Sequence, residues 1–259
     1  MIGFLLKKFF YDLWDNFFSI MILNFGFLIS LSLAFVLPPL LPAAISLVLF
    51  ALLIFWLFLY LCTAAAALGE VSDYRRIRLA DLLANIKSAF VPAAFLFTAA
   101  ALVFFVLRFT VPLYLSMGSL AGTAAAFFSC WLCLFFAGAI QFYPAVYYRL
   151  GKRPLKCLKK CAVIFLDNTA FSIFALILNG IMTVLIIPCP CWPLLYLDEA
   201  LRLRLFKYDW LDAQAAEQNS SRYDPDWRRT KIPWGELLAD EREKTGNRSW
   251  KSFIFPWKE

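Results

Sequence analysis

Cys189 and Cys191 alternate with prolines in "IIPCPCWPLLYLDEALRLRLF", residues 186–206. Cys-Pro-Cys in an apolar helix is a pattern that holds soft cations, because thiolates select Cu(I) and Zn(II). Cys130 and Cys133 lie about one helical turn apart in another apolar run, and Cys157 and Cys161 stand at i, i+4 in a basic one. A bound ion takes three or four ligands, so a single pair does not complete a site. The chain has no histidine, which removes imidazole ligands, imidazole proton relays and Ser-His or Cys-His activation together. Free cysteine is also a small apolar filler. The preferred reading is structural cysteine, with Cys189, Cys191, Cys130 and Cys133 kept as candidate metal ligands and no cofactor expected.

The other groups able to do chemistry are charges inside apolar sequence: Arg108, Asp198, Glu199 and Arg202. Buried ionisable groups in a membrane are costly and need partners. Asp198 has Arg202 one turn on, and Arg108 stands alone within a long apolar run, so Arg108 is expected to pair with Asp198 or Glu199. No nucleophile has a base beside it, no carboxylate pair flanks a cleft, and no glycine-rich phosphate loop occurs. The chain reads as not an enzyme.

The elements that position these groups follow from composition. Of the residues, 62% are hydrophobic and 17% charged, against about 45–50% and about 25% in soluble domains; such a chain belongs in a bilayer. A helical span needs about 20 apolar residues, and residues 17–37, 43–68, 90–115, 122–148 and 169–187 qualify. The first is preceded by Lys7 and Lys8 as in a signal peptide, but it exceeds the usual length of such a segment and no clear cleavage site follows; it reads as a retained anchor. The expected fold is an all-α, polytopic transmembrane bundle of five spans, plus a returning or re-entrant sixth helical segment and a polar tail.

The net charge of +7 lies wholly in residues 1–206, since residues 207–259 carry equal numbers of acids and bases. It is concentrated on alternate connectors. Residues 38–42 and 116–121 carry none, whereas 69–89 hold Arg75, Arg76, Arg78 and Lys87, and 149–160 hold Arg149, Lys152, Arg153, Lys156, Lys159 and Lys160. Short basic loops stay cytoplasmic, which implies a bacterial cytoplasmic (inner) membrane protein with its N-terminus inside. The partner of those cations is the bilayer, through anionic headgroups at about 1 kcal/mol each; no clustered basic face calls for nucleic acid.

Five spans would put the tail outside, but Arg202, Arg204 and Lys207 favour the inside. Pro188, Pro190 and Pro193 resolve the conflict by ending span five near Ile187, leaving 194–206 to form a helix heading back, either crossing or re-entrant. Residues 75–89 and 152–166 read as amphipathic helices on the membrane surface. Asp15, Asn85 and Asp167 begin three similar entries that suit helix capping. Asn24, Gln141 and Asn179 are expected to hydrogen-bond between spans, and "CTAAAALG" and "GTAAAFF" to let helices approach closely. The organisation is thus 1–16 as an interfacial segment, 17–210 as the membrane domain, and 211–259 as a polar tail with Trp227, Trp234, Trp250 and Trp257.

The hairpin turn "LPPLLPAA", the segment "LADLLANIKSAF" with Asp81, Asn85 and Lys87, and a later basic segment leading into a last apolar hairpin resemble the YesL family of bacterial membrane proteins across most of residues 10–210. The resemblance implies an integral membrane accessory associated with carbohydrate uptake and no catalytic residue. The charged tail departs from the family. The leading expectation is therefore a non-enzymatic accessory or scaffold that meets another membrane protein complex. The alternative is a small-solute or soft-metal transporter using the intramembrane charges and cysteines.

Overall fold

The structure is a computed structural model that describes residues 2–77, 79–185, 189–217 and 232–246. The described residues are helical and contain no strand. In order they form α1 (Ile2–Asp15), α2 (Phe17–Val36), α3 (Ala43–Ser72), α4 (Leu79–Phe105), α5 (Val111–Ser116), α6 (Leu120–Ile140) and α7 (Tyr143–Leu150). There follow α8 (Pro154–Asp167), α9 (Thr169–Leu185), α10 (Cys191–Glu217), α11 (Trp234–Leu237) and α12 (Ala239–Thr245). A 3-10 turn, Pro38–Leu40, links α2 to α3, and a π-helical turn, Val106–Thr110, links α4 to α5.

Four stretches are long and apolar enough to cross a membrane: Phe17–Leu40, Ala43–Ser72, Leu82–Ser116 and Leu120–Ile140. Pro154–Asp167 and Thr169–Met182 make a fifth only if the pair, bent by 104°, is one crossing. The protein is an all-α membrane protein with four to five candidate spans. Large apolar side chains such as Phe18, Leu47 and Leu120 are exposed on these helices, as lipid-facing surfaces require.

Several boundaries differ from the expectation. Residues 75–89 are not a separate surface helix, because α4 starts at Leu79 and runs on through Pro92. Asn85 therefore lies inside a helix and caps nothing, and Asn16 precedes α2 with no side-chain capping bond. The run 122–148 breaks after Ile140, where Pro144 in the first turn of α7 cannot coexist with continued helix. The last expected span, 169–187, holds α9, whose 17 described residues rise about 26 Å. The returning helix begins at Cys191 rather than 194, with Pro193 in its first turn, and runs to Glu217 rather than 206. Ile187, Pro188, Arg78, Trp227, Trp250 and Trp257 lie outside the described residues.

The chain divides into two compact units, Met1–Asp15 with Glu199–Glu259 and Asn16–Asp198. The boundary between these units falls inside α10, between Asp198 and Glu199. In the larger unit α3 packs along α2, α4 and α7, and α6 along α8. Small residues set these approaches: Cys62, Thr63, Ala64, Ala65, Ala67 and Leu68 of α3 are all buried, with Cys62 meeting Ala89 and Ala93 of α4. Polar groups add interhelical hydrogen bonds, worth about 0.6 kcal/mol each in a bilayer. Gln141 Nε2 donates to the Ser172 carbonyl at 3.0 Å and Asn179 to Gln141 at 3.5 Å. Asn24 accepts from the Cys191 backbone N–H at 3.3 Å, and Tyr60 donates to the Leu23 carbonyl at 2.7 Å.

Gly26 is required by the last of these contacts. A Cβ at that position would collide with the Tyr60 hydroxyl. Gly26→Ala should cost about 1–3 kcal/mol through overpacking, and adding Tyr60→Phe should return part of the loss by removing the colliding oxygen. Thermal melts of the purified variants in detergent check this; a Gly26→Ala protein as stable as the parent would contradict it.

Candidate functional site: a buried ion-pair clamp

The C-terminal end of α3 is built to receive a cation. The helix stops because Tyr74 takes a left-handed conformation, φ 62°. The Tyr74 N–H then donates to the Val71 carbonyl at 2.9 Å and the Arg75 N–H to the Glu70 carbonyl at 2.8 Å, the bond pattern of a Schellman stop. Glycine would adopt that turn without the steric cost a tyrosine bears. The stop leaves Ser72 and Asp73 at the negative end of the helix dipole, where a cation is favoured.

Arg149, in the last turn of α7, fills that position. Its Nε donates to Asp198 Oδ1 at 2.9 Å and its Nη2 to Asp198 Oδ2 at 2.5 Å, a bidentate pair. Nη2 also donates to the Ser72 hydroxyl, which in turn donates to Asp198. Nη1 reaches Asp73 at 3.2 Å and Nη2 the Gly69 carbonyl at 3.5 Å. Gly69 lets the carboxylate lie against the α3 backbone, since a Cβ there would stand 3.9 Å from both Asp198 oxygens. Asp198 is 4% exposed. Burial alone would lower the Arg149 pKa, but the Asp198 hydrogen bonds and charge more than reverse this and raise it. The cluster ties three helices, α3, α7 and α10, through one guanidinium.

The smaller unit holds a second group of buried charges. Lys8 of α1 pairs with Asp12 one turn on and lies 3.8 Å from Glu199 of α10. Lys8 and Glu199 are 0% and 1% exposed. Arg202 pairs with Glu241 of α12 at 2.8 Å, and Arg204 lies 6.0 Å from the centre of the Trp234 ring. The segment 232–246 is thus folded against α10, with Leu238 and Glu241 buried, and is not a free tail.

The expected sites distribute as follows. Asp198 pairs with Arg149 rather than Arg108, and Arg202 with Glu241 rather than Asp198. Arg108 sits on the π turn, exposed and beside the Phe109 ring. Lys152, Arg153, Lys156, Lys159 and Lys160 are exposed, in keeping with headgroup contact, but Arg149 turns inward to the clamp. The cysteines are all free thiols: Cys130 and Cys133 are half-buried on α6, Cys189 is half-buried and Cys191 fully buried. Among the described residues no three or more His, Cys, Asp or Glu side chains are grouped to hold a metal ion.

Ser72, Asp12 and Glu241 were not singled out from the sequence, and Lys8 only as a charged flank of the first span. For α1 a signal exists: the buried residues Leu5, Lys8, Phe9, Asp12 and Leu13 follow the i, i+3, i+4, i+7 pattern of a core-facing stripe, and the two charges lie inside it. No protein-family model, curated protein or solved structure matches this chain.

Two predictions follow from these clusters. Arg149→Gln leaves Asp198 buried without its counter-ion and should cost about 3–5 kcal/mol, whereas Lys156→Gln on the exposed face of α8 should change stability by less than about 0.5 kcal/mol. Unfolding of both in the same detergent checks the contrast, and equal effects would contradict it. In the smaller unit, burial holds the Asp12 carboxyl above its ordinary 3.8, against the opposing pull of Lys8. The folded chain therefore keeps that proton to higher pH than the unfolded one. The resulting stability is fully present below 3.8 and lost as pH rises through the raised folded value. The stability of the parent relative to Asp12→Asn should fall as pH rises through the acidic range, and a rise would contradict the assignment.

Proposed function

We propose that this chain is a non-enzymatic accessory or scaffold of a bacterial cytoplasmic membrane, with its N-terminus inside, that holds another membrane complex. The observation that carries this reading is the use made of the buried charges. Asp198, the carboxylate best placed to bind a passing cation, has both oxygens occupied by Arg149 and one also by Ser72. With three of its roughly four acceptor positions filled and its charge paired by a bidentate guanidinium, such a group is suited to fixing helices rather than to binding a substrate. The smaller unit, of α1, the second part of α10, α11 and α12, presents Glu236, Asp240, Arg242, Glu243 and Lys244 as exposed charges.

The orientation follows from the basic connectors, with the cations of α8 against anionic headgroups. The resemblance of "LPPLLPAA" and "LADLLANIKSAF" to the YesL family points the partner toward a carbohydrate uptake system. Transport past Asp198 is the reading this geometry disfavours, because a carrier must release its charge pair in each cycle.

The test is gentle extraction of the full chain, identification of bound proteins, and elemental analysis of the same sample. A membrane complex should co-purify in near-equal amount with the full chain and be lost from a chain ending at Glu217, which keeps α10 whole. Recovery of the full chain alone, together with bound copper or zinc, would contradict the proposal in favour of metal handling. Orientation is checked separately: a membrane-impermeant amine reagent added to intact cells should leave Lys152, Lys156, Lys159 and Lys160 unmodified.

A further inference from the structure

Arg108 is the single charged residue between Lys87 and Arg149. It is exposed on the π turn Val106–Thr110, and among the described residues it makes no ion pair. Its surroundings are apolar and equally exposed: Phe104, Phe105, Leu107 and Phe109. A guanidinium cannot be deprotonated under these conditions, and no described residue supplies its counter-ion.

The helix itself measures where that counter-ion lies. Lys87 and Arg108 are the two exposed cations of the Leu82–Ser116 span. The 21 steps between them rise about 31 Å at 1.5 Å per residue, which matches a hydrocarbon thickness of about 30 Å. The intervening sequence has no charge, and its Ser88 and Thr98 hydroxyls are turned back onto the Asn85 and Ala94 carbonyls at 2.8 and 2.9 Å. One cation therefore meets each face of the lipid core. The five-residue π turn, Val106–Thr110, holds Arg108 near the end of this spacing.

We infer that Arg108 binds the phosphate of a phospholipid headgroup, in the leaflet opposite the one met by Lys87 and the basic connectors. The guanidinium fork matches two phosphate oxygens, and the Phe105–Phe109 ring pair, 5.2 Å apart, flanks the first acyl carbons beneath it. The inference depends on the chain being membrane-embedded and is independent of the orientation and partner proposed above.

The experiment is native mass spectrometry of the full chain in detergent, titrated with phosphatidylglycerol. Arg108→Gln should lose one lipid-binding step, its apparent Kd rising at least fivefold. Arg242→Gln, which removes the same charge from exposed α12, should stay within twofold of the parent. Arg108→Lys keeps the charge but not the fork and should weaken the same step at least twofold; it serves as the test if Arg108→Gln does not fold. Unchanged affinity in either Arg108 variant, or an equal loss in Arg242→Gln, would overturn the inference.

Discussion

The bidentate bond between Arg149 and Asp198 is the constraint on which the larger unit depends. Taking a carboxylate out of water costs several kcal/mol, and that cost is recovered here only because every acceptor position facing α3 and α7 is filled. The guanidinium supplies two parallel donors, the Ser72 hydroxyl a third, and the α3 terminus adds the negative end of its dipole. Lysine could supply the charge at that position but not the geometry. The pair also explains why α3 ends where it does. A stop one turn earlier would remove Ser72 and Asp73 from the site, and a continued helix would remove the carbonyl field.

Around this point the chain sorts its charges into two kinds. Those on Lys152, Arg153, Lys156, Lys159 and Lys160 stay exposed on and just before the short amphipathic helix α8. Those on Lys8, Asp12, Arg149, Asp198, Glu199 and Glu241 are withdrawn into pairs. Lipid offers no hydrophobic force between helices, so specific packing and polar contacts must hold them. The alanine-rich face of α3 and the glycines at 26 and 138 provide the packing, and a Cβ at Gly138 would overlap the Phe165 ring. The interhelical bonds of Asn24, Gln141, Asn179 and Tyr60 provide the polar contacts. The buried charges extend the same logic at higher cost and higher specificity.

Much of the architecture was legible in the sequence because its signal is local. Apolar length located the spans, prolines located the α2–α3 turn, and small residues located the faces of close approach. The clamp was not legible, because its partners are separated by 49 to 126 positions and nothing in periodicity joins them. Choosing Arg108 for Asp198 rested on Arg108 being alone in its run, but isolation within a helix says nothing about which face it occupies. Arg149 was assigned to headgroups because its neighbours are, although it ends α7 and the others precede or belong to α8. The 232–246 segment read as free tail because its apolar residues are few. Leu238 and one ion pair suffice to seat it, since α10 supplies the remainder of the surface.

The most direct measurement of the central claim is a double-mutant cycle on Arg149→Gln and Asp198→Asn, with unfolding free energies taken in the same detergent. A clamp that holds three helices predicts a coupling energy of about 2 kcal/mol or more, with the double variant more stable than the sum of the single losses implies. A coupling below about 0.5 kcal/mol would show that the two side chains act independently and would contradict the account.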